Sequence, residues 1–305
     1  MHAPAPLPYH LAAAPFTVHE ARAASLSAGR LRAADLGSAG RGLYLPTDWE
    51  FELRGLARAL SAATPGAWIS HLTAAVLLGL WLPSWFAGCR ELHLSKSKAL
   101  PPARRAGVVG HTVLAFADEV MVWEGIRIST PARTWLDLAR MVPLEDLVAV
   151  GDQLVRQPRP GLEQRTEPWA TLPQLKAMIR RHPKLQGIVK ARLAADLVRA
   201  GADSAPETFL RLALTAAGLP EPELQVRIVP GDPYSPAADL GYRKHRIAVQ
   251  YDGGHHLTRE QQSRDIRRDE AFIAAGWRYF KLNADDLQGG FRAAVRRVGA
   301  ALIAS

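Results

Sequence analysis

The segment ADLGYRKHRIAVQYDGGHH, residues 238–256, most constrains what this chain can fold into. Two apolar runs flank the polar triplet Arg243, Lys244 and His245, a pattern that predicts adjacent antiparallel strands joined by a tight turn. Side chains alternate faces along a strand. Ala248, Gln250 and Asp252 therefore point one way, and Ile247, Val249 and Tyr251 the other. Gln250 and Asp252 are presented together, and the hairpin brings Asp239 of the preceding strand alongside them.

The flanks extend this unit. SAPETFLRLALTAAGLP reads as a helix that starts at Ser204, carries Glu207 three residues on, and stops at Gly218 and Pro220. LQVRIVP reads as a strand and GDPYSP as a turn. After Gly253 and Gly254, TREQQSRDIRRDEAFIAAG reads as a helix with Thr258 and Gln261 in capping-box spacing and Gly276 at its end. WRYFKL is a last strand before a C-terminal helix. The order is helix, three strands, helix, strand. Acidic oxygens on separate elements of such a unit are what a hard divalent cation needs, and that cation can polarise a phosphoryl group and activate water.

The first 200 residues carry no catalytic constellation. TVHEARAASLS and SAGRLRAADLGSAGRGLYLP read as two short helices, a turn and a small strand, the anatomy of a winged helix. Helices are expected over 52–63 and 67–80, strands in RELHLSK and VMVWEGIRIS, and a helix from TPARTWLDLAR with Thr130 as N-cap and Pro131 at its first position. Further helices are expected near 144–155, 171–181 and 185–200, with the Pro-rich RQPRPGLEQRTEPW as a long loop. His71, His93 and His111 are scattered in sequence and read as structural residues.

Net charge is +9, which favours polyanionic partners. Residues 201–305 hold 14 Lys and Arg against 13 Asp and Glu, so the surplus lies in the first 200, with 24 against 16. Within 156–192, nine cations from Arg156 to Arg192 face only Glu163 and Glu167. That run is either a solvated helical face or a phosphate-tracking surface. The single cysteine, Cys89, excludes an internal disulfide framework and suits a reducing cytoplasm. The N-terminal stretch lacks the pattern of a secretory signal. The most apolar run, LTAAVLLGLWLP, is about half the length of a membrane span, so no membrane is expected as partner.

Residues 204–287 resemble the DUF559 domain, a very-short-patch-repair-like branch of the PD-(D/E)XK endonuclease superfamily. The likeness rests on SAPETFLRLAL, AGLPEPELQ, ADL, IAVQYDGGHH and RDIRRDEAFIAAGWRYFKL. The preceding region more loosely resembles AbiEi-type antitoxin proteins through GRGLYLP, WISHLTAAVLLGLWLP and GIRISTPARTWLDLAR. The implied fold is α/β, an α+β multidomain chain with a winged-helix-like segment over 1–49, a mixed α/β middle domain over 50–200 and a restriction-endonuclease-like αβββαβ core over 201–305. The implied partners are DNA and a cognate toxin protein, and the implied cofactor is Mg2+ or Mn2+.

Carried onto this chain, the resemblance makes Glu207 and Asp239 metal ligands and puts Asp252 in a helper position that related nucleases often fill with lysine. His255 and His256 would position water or protonate the leaving oxygen. Arg259, Arg264, Arg268 and Lys281 would contact DNA. Where these domains usually read EYDG, this chain reads QYDG, so Gln250 offers a neutral amide oxygen in place of a carboxylate. The expected activity is metal-dependent DNA hydrolysis, and its rival is a weakly active or inactive nuclease fold serving as a regulator. Bland roles compete residue by residue: Glu207 as a helix cap, Asp239 at a strand end, Asp252 in a turn, the histidines in a polar loop, and Arg264 and Arg268 paired with Asp265 and Asp269.

Overall fold

The computed structural model of the chain describes residues 4–86, 88–159, 163–253 and 259–305. It is a mixed α/β structure with three sheets, divided into two compact units: Met1–Val142 with Pro173–Ala191, and Pro143–Leu172 with Arg192–Ser305. Among the described residues no helix is long and apolar enough to cross a membrane.

The first unit opens with α1 (Tyr9–Ala12), β1 (Phe16–Thr17), α2 (Val18–Ala23), β2 (Leu36–Ser38) and β3 (Leu43–Pro46). The strands form a small sheet in the order β1-β3-β2, and Leu11, Phe16 and Ala21 make its core. The second helix expected beyond α2 is only a 3-10 turn at Arg30–Arg32, followed by the β2–β3 hairpin. Gly40 and Gly42, with φ of +103° and +72°, form the tight turn of that hairpin, a backbone region that favours glycine.

Next come α3 (Leu53–Ala62), β4 (Ala67–Ile69), α4 (His71–Leu77), β5 (Leu92–Ser97), β6 (Val108–Val113), β7 (Val120–Trp123), β8 (Ile126–Ser129) and α5 (Pro131–Leu138). The strands form a five-stranded sheet in the order β6-β5-β4-β8-β7. The helix expected over 67–80 therefore begins as a strand, because Trp68 and Ile69 fill a central position between β5 and β8. Burial against neighbouring strands outweighs the helical pattern of the residues that follow. Helix α5 starts as its sequence predicts, with Thr130 Oγ1 accepting from Arg133 N at 3.4 Å and Pro131 at the first position.

The chain then forms α6 (Leu144–Val155) in the second unit, α7 (Leu172–Arg181), α8 (Ile188–Leu197), α9 (Ala205–Ala216), β9 (Glu223–Arg227), β10 (Ala237–Tyr242), β11 (Ile247–Tyr251), α10 (Arg259–Ala274), β12 (Arg278–Leu282), α11 (Ala284–Gln288) and α12 (Arg292–Ile303). The second unit's sheet runs β12-β11-β10-β9, with β11 and β12 parallel and the other pairs antiparallel. The order from α9 to β12 is that read from sequence.

Each face of this sheet has its own core. Ile247 and Val249 pack with Leu240, Leu210 and Leu214 of α9, and Val298 of α12. Ala248 packs on the opposite face with Val226, Ala238, Phe272 of α10 and Trp277. The alternation expected along β11 is thus satisfied, and each fully buried Leu or Val contributes about 1.5–3 kcal/mol. Helix α6 is anchored to α9 by a buried polar knot: Asp152 Oδ2 accepts from Arg211 NH2 and Thr208 Oγ1, both at 2.8 Å, and Asp152 Oδ1 accepts from Arg199 N at 2.7 Å. This knot draws residues 143–172 into the unit that contains the hairpin.

Candidate functional site

Glu207, Asp239 and Gln250 converge at one end of the second unit's sheet. They come from α9, β10 and β11, and only 5%, 8% and 7% of their surfaces are exposed. The ladder between β10 and β11 is regular at Tyr242↔Ile247, Gly241↔Ala248 and Leu240↔Val249. Beyond that the carboxylate of Asp239 takes over, with Oδ2 accepting from Tyr251 N at 2.8 Å, while Gln250 Oε1 accepts from Asp239 N at 3.3 Å. Gln225, on the neighbouring β9, has φ of +49°, a local distortion beside the same point.

Glu207 reaches the site from the first turn of α9. Its Oε1 accepts from Ser204 Oγ and its Oε2 from Asp203 N, both at 2.8 Å. The carboxylate therefore does hold the helix start, as a cap would. The Ser204 hydroxyl donates to Glu207 and makes no capping bond to the backbone, so the reciprocal capping box expected from spacing is absent.

Burial dominates the electrostatics. It pushes the Glu207 carboxyl up to about 8, and the charge of Asp239 adds to the rise against the hydrogen bonds from Asp203 and Ser204. Burial likewise pushes Asp239 up to about 6, although the Tyr251 and Gln250 hydrogen bonds and the charge of Arg268 hold it down. Two carboxyls that disfavour each other's ionisation share this place, which is the condition a proton or a cation relieves.

The remaining residues expected in the site form a second cluster. Asp252 pairs with Lys281 Nζ at 3.2 Å, and the same ammonium meets Asp269 Oδ2 at 3.2 Å. Tyr279 OH donates to Asp269 Oδ1 at 2.6 Å, and Arg268 contacts Asp265 at 2.9 Å, Asp269 at 3.4 Å and Tyr279 OH at 3.3 Å. Lys281 stands beside Gln250 in the parallel register of β11 and β12. Arg268 and Lys281, read from sequence as DNA contacts, are thus engaged by protein carboxylates, whereas Arg264 is exposed on α10. His255 and His256 lie outside the described residues, as does the side chain of Arg259.

Of two further members, Asp203 was not singled out in the sequence and Arg159 was noted only within the run of cations over 156–192. Asp203 precedes the helix start and binds Arg159, Arg156 at 3.5 Å and Gln225 Nε2 at 3.0 Å. Arg159, half-exposed in the Pro-rich loop, brings a positive charge whose field is felt at Glu207 and Asp239. A polar residue directly before a helix start was the available signal for Asp203; nothing local marks Arg159.

A scan against protein-family models, a search of curated proteins and a search of solved structures each find no match to this chain.

Proposed function

We propose that the second unit hydrolyses DNA phosphodiester bonds with a divalent cation, Mg2+ or Mn2+, held by Glu207 and Asp239. The observation that carries this reading is the convergence of two buried, mutually repelling carboxylates from α9 and β10 with the amide of Gln250. The donor set fits a hard cation, because it is all oxygen and its net negative charge lacks a cation in direct contact among the described residues. Such an ion would polarise the phosphoryl oxygen and lower the pKa of the attacking water.

The chain's own groups supply the rest. Tyr251 N and Ser204 Oγ fix the two carboxylates so that they do not need to reorganise when charge arrives. Lys281, adjacent to Gln250 across β11 and β12 and paired with Asp252, offers an ammonium where negative charge develops on the phosphoryl group.

Nicking of supercoiled plasmid by the full chain with Mg2+ or Mn2+ tests this reading. Asp239→Ala is expected to lose at least about a hundredfold in rate, the scale of removing several kcal/mol of charge stabilisation. Gln250→Glu is expected to gain, because a carboxylate there adds negative charge to the ligand set. A second reading, a regulator that binds DNA without cutting it, is favoured by the neutral Gln250. Absence of nicking from both the wild type and Gln250→Glu, with retained gel-shift binding, would overturn the nuclease reading in its favour.

A further inference from the structure

The first unit gathers three histidines that are far apart in sequence. His93 of β5 and His111 of β6 lie on the same face of parallel neighbours, where Ser95 is the register partner of His111. His71 opens α4 and packs over them, its ring stacked on His111 with centroids 3.6 Å apart. One ring nitrogen from each lies within 4.8 Å of the others, and His93 Nδ1 is 2.9 Å from His111 Nε2. Scattered in sequence, the three are brought together by strand pairing and by the β4–α4 turn.

We propose that His71, His93 and His111 form a transition-metal site, with Asp137 supporting it from α5 and an adjoining cavity supplying an open coordination position. Four observations carry this. His71 holds φ of +51°, an uncommon backbone conformation for a residue with a side chain, and this conformation delivers its imidazole to the cluster. Its Nδ1 lies 2.9 Å from Ser70 Oγ, a hydroxyl that accepts from Ser95 Oγ at 2.7 Å, so one side of the ring is anchored and Nε2 is left as the ligand atom. Asp137, only 2% exposed, bonds Arg133 through Oδ1, but its Oδ2 is buried without a hydrogen-bond partner 3.9 Å from His71 Nδ1. Because that nitrogen is within hydrogen-bond distance of Ser70, Asp137 acts here through its buried negative charge, which favours a cation held by the histidines. Finally, His71, His111 and Asp137 line a cavity of about 620 Å3, so a group bound at the histidines has a way in.

The donor type selects the ion. Imidazole suits Zn2+, Co2+, Ni2+ or Cu2+ and does not suit Mg2+ or Ca2+, and three histidines with one free position form a known zinc arrangement. Metal–nitrogen bonds of about 2.0–2.1 Å require ligand nitrogens about 3.3 Å apart. The His93–His111 pair is close to that spacing, and binding an ion requires their mutual hydrogen bond to open and the His71 ring to turn out of its stack on His111, because imidazole lone pairs lie in the ring plane. Arg140, Lys98 and Lys184 make the cavity wall positive, so the open position fits an anionic ligand such as phosphate or a carboxylate. This centre is separate in sequence and in chemistry from the Glu207 and Asp239 cluster, and neither proposal depends on the other.

Titration of metal-free full-length protein with Co2+ tests the site. One equivalent is expected to produce intense visible d–d bands of low-coordinate, nitrogen-ligated cobalt, displaced by Zn2+ and shifted by inorganic phosphate. An all-oxygen site gives only weak bands, so the two centres are distinguishable. His111→Gln, at the least buried of the three, is expected to weaken binding by more than about tenfold, and Asp137→Asn by about tenfold. Asp239→Asn, in the other unit, should leave the bands intact and serves as a control alongside circular dichroism of each variant. Failure of the wild-type protein to bind Co2+ or Zn2+ stoichiometrically would overturn the site whatever the variants do. Bands that persist in folded His111→Gln would also overturn it, and bands unmoved by phosphate would remove the open position.

Discussion

Glu207 and Asp239 bury their carboxyls with no cation in direct contact among the described residues, and this has a consequence for stability. Their folded pKa values, about 8 and about 6, lie above the ordinary carboxyl range. The folded state therefore binds more protons than the unfolded state between those limits. Their stabilising contribution is complete below about pH 4 and is lost as pH rises through about 6 and then about 8. Thermal melts in a chelator should fall by several degrees from about pH 5 to about pH 8.5. Mn2+ should restore more at the alkaline end, where it replaces the missing protons, and Glu207→Gln should flatten the slope. A pH-independent midpoint in the chelator would argue against a coupled buried pair. At this scale the sequence reveals that Glu207, Asp239 and Gln250 come together but not what each one touches. Asp239 and Gln250 are legible because strand alternation and the hairpin fix their directions, and Glu207 through its place in the first helical turn and the resemblance. The diversion of Asp252 to Lys281, and of Arg268 to Asp265 and Asp269, depends on rotamers and on the packing of α10.

Helix α9 connects the site to the rest of its unit, because it carries Glu207 at its start and Arg211 one turn later. Arg211 and Asp152 are each only 1% exposed, and burial pushes the Asp152 carboxyl up against the pull of Arg211. Removing one partner of a buried pair strands the other charge. Asp152→Ala should cost about 3–5 kcal/mol in urea unfolding, whereas Asp152→Leu combined with Arg211→Met should recover most of it. If the double replacement is no better than the single one, the knot is not an isolated pair. Strand β10 sets a second limit: a Cβ on Gly241 would meet Val226 Cγ1 at 2.5 Å and Ile247 O at 2.6 Å. Gly241→Ala should destabilise by about 1–3 kcal/mol, since a backbone carbonyl cannot step aside as a side-chain tip can. Elements were legible where apolar periodicity and end signals agree, as in α6, α9 and the hairpin. They were not where pairing with distant strands decides, as in β4, or where glycines leave only a 3-10 turn after α2. The histidine cluster was illegible for a related reason: His93 and His111 meet through the parallel register of β5 and β6, and His71 joins them through the β4–α4 turn.

Charge is the property of the whole molecule that bears most directly on nucleic acid. The formal +9 and the dense run of cations over 156–192 suggest a strongly salt-sensitive grip on a polyanion. The structure reduces that expectation, because several of these cations already have partners. Arg156 binds Glu163 and Asp203, Arg159 binds Asp203, Arg165 binds Glu163, Arg181 binds Asp118, and Lys190 donates to the Val142 carbonyl. Arg180, Lys184 and Arg192 are exposed and have no protein partner among the described residues. A cation contributes to counterion release only if it can leave its carboxylate for a phosphate, and each such contact adds about 0.9 to the slope of log affinity against log salt. Three contacts give a slope near −2.7, so affinity for a duplex should fall roughly fortyfold from 50 to 200 mM KCl by fluorescence anisotropy. Replacing Arg180 and Lys184 by glutamine should reduce the slope by about 2, whereas Arg181→Gln should hardly change it. A wild-type slope steeper than about −6 would mean that the paired arginines exchange their carboxylates for phosphates, and the ion pairs around Asp203 and Glu163 would then be the closed state of a DNA-binding surface.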